Sequence, residues 1–244
     1  MVNDLMLLSG VDIPFLEAQI ITHQPSIKEI GMIGEDVFYA GCGILNFSKE
    51  SLSQEDRINL ENRTNFEVLM SMMLGNHPTI YKNRINAIMV LTLMFPEYQI
   101  TFTQQAIILK KEDEIHSINS ENFERFKEIL SAMFCLNGRG DEETNFNPGG
   151  KKAQEIAEKL RKRKQVLAEQ KGDQKVSILH RFASILAVGQ RQNLNEILGY
   201  TVYQLFDQYD RFELKEMNDM HFRAQLAGAR DLQEVDNWRK EIHP

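Results

Sequence analysis

The chain has 244 residues, of which 42% are hydrophobic and 26% charged, the composition of a globular protein able to bury a sizeable core. Its longest apolar run, residues 88–95, falls well short of the roughly 20 residues that span a bilayer, and the first residues lack the basic start and apolar centre of a secretory leader. A net charge of −7 argues against general nucleic-acid affinity, which needs a dominant basic field, and the two cysteines, Cys42 and Cys135, match neither a disulfide framework nor a paired metal spacing.

Along the chain, Leu5–Leu8 and Val11–Leu16 are short apolar segments separated by Ser9 and Gly10, a pattern that predicts a small hairpin or edge strand within residues 5–16. Pro25 and Ser26 open a helix that Gly34 interrupts. A second helix follows over Glu35–Leu45, with Val37, Phe38, Ala40, Cys42 and Leu45 on its apolar face. Ser51 with Gln54 forms the pattern of a capping box for a helix reaching Glu61. Thr64 or Asn65 caps the next, in which Phe66, Leu69, Met70 and Met73 recur at helical spacing. Pro78 begins a helix that runs to Phe95 and stops at Pro96.

Residues 99–118 change character. Ile100–Thr103 and Ala106–Leu109 are β-branched and aromatic, so two or three short strands are expected, joined to the N-terminal hairpin. Asn119 and Ser120 then cap a helix with Phe123, Phe126, Ile129, Leu130, Met133 and Phe134 on one side. Residues 138–150 form a polar, glycine-rich stretch ending Asn147-Pro148-Gly149-Gly150, a natural boundary. Beyond it every segment reads as helical: a basic helix over Lys151–Lys171, an apolar one over Ser177–Val188, and a short one over Asp231–Ile242 that carries the only tryptophan, Trp238. Before that last segment lies a long helix capped by Thr201. Its stripe is Val202, Leu205, Phe206, Tyr209, Phe212, Met217, Met220, Ala224 and Ala227, and Gly228 stops it.

The expected class is therefore mainly α (α+β). A mostly helical N-terminal domain over residues 1–137 has short strands near 5–16 and 99–118. A glycine-rich hinge covers 138–150, and an all-helical region covers 151–244.

Charge supports the same division, since residues 1–110 hold 7 basic and 12 acidic side chains whereas residues 151–175 hold 9 and 4. Lys159, Arg161, Lys162, Arg163 and Lys164 are the candidate partner-binding residues, suited to an acidic surface or to phosphate backbone. No aromatic side chain interleaves them, which disfavours single-stranded nucleic acid. The glycines around 138–150 lack the strand and the full spacing of a phosphate loop. Asp207, Asp210, Glu213 and Glu216 recur along the long helix and read as a solvent face balanced by Arg211 and Lys215. Cys42 reads as a buried helical thiol rather than a nucleophile, and the six histidines are scattered. Catalytic residues, metal ligands and cofactors are accordingly not expected.

Several phrases together resemble small proteins encoded beside the tail genes of tailed bacteriophages: PSIKEIG at 25–31, NPGGKKA at 147–153, YTVYQLFD at 200–207 and AQLAGA at 224–229. The resemblance is one of pattern and order over most of the chain. It implies a tail assembly chaperone, a non-catalytic helper in the host cytoplasm that binds the tape measure protein, the tail tube protein or both during tail morphogenesis, with homo-oligomers possible for such a protein. Met70, Met72, Met73, Met217 and Met220 would suit a contact surface for a long apolar helix. Two other functions fit the same residues, a structural virion component such as a tail or baseplate adaptor, and a nucleic-acid-binding regulator using helix 151–171.

Overall fold

The computed structural model of the chain describes residues 2–51, 54, 60–75, 77–136 and 177–228. It is mainly helical with two small antiparallel sheets, the α+β class that the sequence pattern implies. The hinge at 138–150, the basic helix at 151–171 and the terminal helix at 231–242 lie outside the described residues, as does most of the helix expected to follow Ser51.

The first element corrects an expectation. Leu5–Leu8 is not a strand, because Asp4–Ser9 forms a helix, α1. The Asn3 side chain accepts from the Leu5 amide at 2.9 Å, Asp4 stands in the first turn, and Gly10 closes the helix at φ 68°. A polar N-cap and a left-handed C-cap thus decide the local structure over the apolar pattern. The hairpin forms one segment later, where Ile13–Phe15 (β1) pairs with Ile20–Thr22 (β2) and Pro14 stands opposite Ile21. Ile13, Phe15, Ile20 and Thr22 face inward, and Leu16–Ala18 makes a single 3₁₀ turn between the strands.

Ser26 caps Ile27–Ile33 (α2) in a capping box with Glu29. Gly34 then separates it from Glu35–Leu45 (α3), as its position in the sequence suggests. Of the expected apolar face of α3, Phe38, Cys42 and Leu45 are fully buried, whereas Val37 is half-buried and Ala40 exposed. Gly41 completes the buried face. A Cβ there would come within 2.4 Å of the Asn86 carbonyl oxygen, so glycine allows α3 to lie directly against its neighbour. That neighbour is Pro78–Met94 (α5), preceded by Asn65–Met73 (α4), which begins with a capping box between Thr64 and Glu67.

Gln99–Phe102 (β3), Ala106–Lys111 (β4) and Glu114–Asn119 (β5) form a meander in that order. Ile107, Leu109 and Ile118 point into the core. The expected junction with the N-terminal hairpin does not occur as a strand ladder. The two sheets are separate, and His116 of β5 reaches the hairpin turn by one side-chain hydrogen bond, Nδ1 to the Ala18 carbonyl at 3.1 Å. Phe123–Phe134 (α6) starts later than its expected cap, because Asn119 still belongs to β5 and Asn122 stands at the helix entrance. The Asn122 side chain accepts from the Asn119 amide and donates to the Ser117 carbonyl, fixing that turn. All six apolar residues expected on the inner side of α6 are buried.

The last described elements are Ile178–Gln190 (α7), Leu194–Ile197 (α8) and Val202–Leu226 (α9). Leu179, Phe182, Leu186, Ile197, Val202 and Leu205 belong to the same continuous core as the N-terminal elements. Polar contacts seal this junction. The Ile27 and Lys28 amides donate to the Tyr200 and Leu198 carbonyls at 2.8 and 2.9 Å, and Ser26 bridges Thr201. Glu35, the first residue of α3, accepts from the Ile178 and Leu179 amides at 2.8 and 3.3 Å and so caps α7 from across the fold. Among the described residues no helix is long and apolar enough to cross a membrane.

Candidate functional site

Two surfaces stand out, a polar cleft and the far half of α9. The cleft, of about 520 Å³, opens between the β1–β2 hairpin, the end of α5 and the three-stranded sheet. His23, leaving β2, is held there by its amide, which donates to the Met94 carbonyl at 2.9 Å. Its Nδ1 lies 3.0 Å from Asp12 and its Nε2 3.3 Å from Glu29. Burial would raise the Glu29 carboxyl, but hydrogen bonds from the Ser26 hydroxyl and amide, with the charge of His23, bring it below the ordinary carboxylate value.

Across the cleft His116 is mostly buried, stacks edge-on against Tyr98, and directs Nε2 toward Glu114 at 3.9 Å. A carbonyl only accepts, so the contact with Ala18 makes Nδ1 of His116 the protonated nitrogen. Lys111 pairs with Glu97, and that hydrogen bond, reinforced by the carboxylate's charge, holds its amine above the ordinary lysine value. Among the described residues no group of three or more histidine, cysteine or acidic side chains is arranged to hold a metal ion. The residues of this cleft are far apart in sequence and share no motif, so no sequence signal joins Asp12 to Glu29 or His23 to His116.

On α9 the stripe divides. Val202, Leu205, Phe206 and Tyr209 are buried, and Phe182 of α7 stacks on Tyr209 at 3.7 Å between ring centroids. Past Phe212 the same stripe emerges: Met217 is 47% and Met220 61% exposed, while Phe222 at 59% and Leu226 at 73% are exposed on the other side of the helix. Met72 is also exposed at 45%, whereas Met70 and Met73 are core residues. Of the five methionines that suit a contact surface by sequence, three are therefore placed to make one.

The acidic residues of α9 require a correction. Asp207 is not on a solvent face but buried, with Arg211 donating to both its carboxylate oxygens at 3.0 Å. The first turns of α9 are enclosed by α1, α6 and α7, so even its polar side must find partners there. Glu213 accepts from the Tyr209 hydroxyl, and Lys215 pairs with Asp219 at 3.6 Å. Asp207, Glu213 and Asp219 thus serve separate local pairs. Burial together with the charges of Asp4 and Asp207 pushes the Tyr203 hydroxyl up to about 12.

Cys42 is fully buried on α3, as its apolar helical spacing implies, and burial pushes its thiol far above the ordinary range. The basic cluster Lys159, Arg161, Lys162, Arg163 and Lys164 lies outside the described residues. Neither the family models nor the curated proteins and solved structures contain a match to the chain.

Proposed function

We propose that the chain is a non-catalytic tail assembly chaperone of a tailed bacteriophage, which binds the tape measure protein, the tail tube protein or both in the host cytoplasm. The observation that supports this reading best is the course of the α9 stripe, which leaves the core at Phe212 and continues as exposed Met217 and Met220. Unbranched, polarizable methionines adapt to many apolar partners and suit a helper that holds a long helical chain without demanding one sequence. In the same reading Lys159, Arg161, Lys162, Arg163 and Lys164 serve acidic portions of the partner.

Co-expression with the tape measure and tube proteins of the same genome tests the proposal. A gain in their solubility, or a complex isolated on size exclusion, is expected, and no effect on either protein would overturn it. Mass spectrometry of purified particles separates the reading from that of a tail or baseplate adaptor, since a chaperone is absent or scarce there.

A further inference from the structure

A second cleft, of about 430 Å³, adjoins the polar one at Gln19 and His116 and lies between the 3₁₀ turn of the hairpin and β5. Among the described residues β5 pairs with β4 alone, so its other side is a sheet edge. In an antiparallel ladder successive residues turn their amide and carbonyl alternately toward the neighbouring strand and away from it. The Asn119 amide donates to the Asn122 side chain at 2.8 Å, which in turn donates to the Ser117 carbonyl at 3.0 Å. Ser117 and Asn119 therefore face away from β4, and Ile115 shares their phase. The Ser117 amide and both backbone groups of Ile115 are left without a partner among the described residues. Ile115 and Ser117 both line the cleft.

Charge decides what kind of chain this edge accepts. Glu17 and Glu121 line the cleft, Glu114 begins the strand, and Glu112 and Asp113 make the turn before it. Glu112, Asp113 and Glu121 have no ion pair among the described residues. Glu17 lies 3.6 Å from Arg125, which also serves Glu128. Of the nearby lysines, Lys111 is engaged with Glu97, and Lys110 stands opposite Ile115 on β4. Carboxylates thus flank both ends of the strand. A second copy of this chain would meet like charge along the edge in either direction, which opposes self-pairing.

We propose that the β5 edge is a docking site for an extended, basic segment of a partner polypeptide, which adds to the sheet as a further strand. The backbone of that segment completes the hydrogen bonds of Ile115 and Ser117. An apolar side chain lies against Ile115, which is 64% exposed, and lysines or arginines toward the ends meet the carboxylates. The site is distinct from the exposed stripe of α9, and it stands whether or not the chain is a tail chaperone.

A fluorescein-labelled peptide of alternating lysine and valine, titrated into the full-length chain, tests the proposal by anisotropy and amide NMR. Saturable binding is expected, with the Ile115 and Ser117 amides shifted and protected from hydrogen exchange. The glutamate–valine counterpart should bind about tenfold more weakly or worse. Methylating the peptide nitrogens that face β5 removes the strand pairing without touching the protein, and it should likewise cost about tenfold or more. Ile115→Pro deletes an amide that the fold does not use, so it should abolish binding while the circular dichroism of the chain stays unchanged. No saturable binding at millimolar peptide, equal binding of the acidic peptide, or a methylated peptide that binds as well as its parent would overturn the proposal. A concentration-dependent dimer that Ile115→Pro dissolves would overturn it too, by assigning the edge to self-pairing.

Discussion

At the scale of single residues, the interior is held by apolar packing, and its few polar side chains are either paired or conspicuous. Thr22 is conspicuous. It is buried on the inner face of β2, and its hydroxyl has no hydrogen-bond partner among the described residues. Removing an unmet buried hydroxyl while keeping the β-branched shape relieves a desolvation penalty of about 1 kcal/mol. Thr22→Val should thus raise the melting temperature by about 2–4 °C in a chain of this size, and a lower value would show the hydroxyl to be satisfied. Asp207 is the paired case. Arg211→Ala strands a buried carboxylate and should cost about 1–3 kcal/mol in denaturant unfolding, the lower end reflecting the partly exposed guanidinium. A combined Asp207→Asn and Arg211→Ala chain should recover part of that loss, because the uncompensated charge is gone. Glu29 sets an acid limit of a different kind. Its folded carboxyl lies below the ordinary value, so its contribution is present above the unfolded carboxylate range and disappears as pH falls through the folded one. Glu29→Gln should therefore lower the neutral plateau of the stability curve and flatten its acid side, read by denaturant unfolding at a series of pH values.

At the scale of elements, capping chemistry separates what was legible in the sequence from what was not. Thr64 with Glu67 and Thr201 with Gln204 form the capping boxes that mark the starts of α4 and α9. Pro78 opens α5 as its place at the first helical turn requires. The helical stripe of α6 is legible because its inner residues repeat at 3.6-residue spacing over three turns. Leu5–Leu8 misleads because four apolar residues fit a strand and a helix equally, and Asn3 and Gly10, lying just outside them, decide the matter. The solvent-face reading of Asp207 fails for another reason. Periodicity along one helix carries no information about which neighbours enclose its polar side. The same holds for the cleft, whose histidines meet their carboxylates through tertiary placement. Gly41 shows the limit most sharply, since only the partner helix reveals why it must lack a side chain. Gly41→Ala should push α3 away from α5, because its Cβ would meet backbone and cannot be relieved by a rotamer change. A loss of about 1–3 kcal/mol, read by chemical denaturation, is expected, although alanine is the better helix former by about 1 kcal/mol. An unchanged or raised stability would mean that the two helices separate at little cost.

At the scale of the whole molecule, residues 177–228 share one continuous core with the N-terminal elements. Leu179, Phe182, Leu186, Val202 and Leu205 lose essentially all contact with water there. Burying side chains of this size contributes about 1.5–3 kcal/mol each before conformational entropy is charged against it. Glu35 adds direction to that adhesion, because its carboxylate meets the first amides of α7 and the Ser177 hydroxyl. A protease site placed between Gly149 and Gly150 of the full-length chain tests the idea. After cleavage the two pieces should still elute together on size exclusion and melt as one unit. Two further changes should then act differently. Leu205→Ala removes packing at the centre of the junction and should cost about 2–5 kcal/mol, enough to let the cut pieces separate at low concentration. Met217→Glu combined with Met220→Glu lies beyond Phe212 and should leave their association intact, while removing the capture of a tape measure protein in co-expression. Pieces that part immediately after cleavage would place the adhesion in the connecting segment, and a methionine pair that proved neutral in capture would move the partner surface off α9.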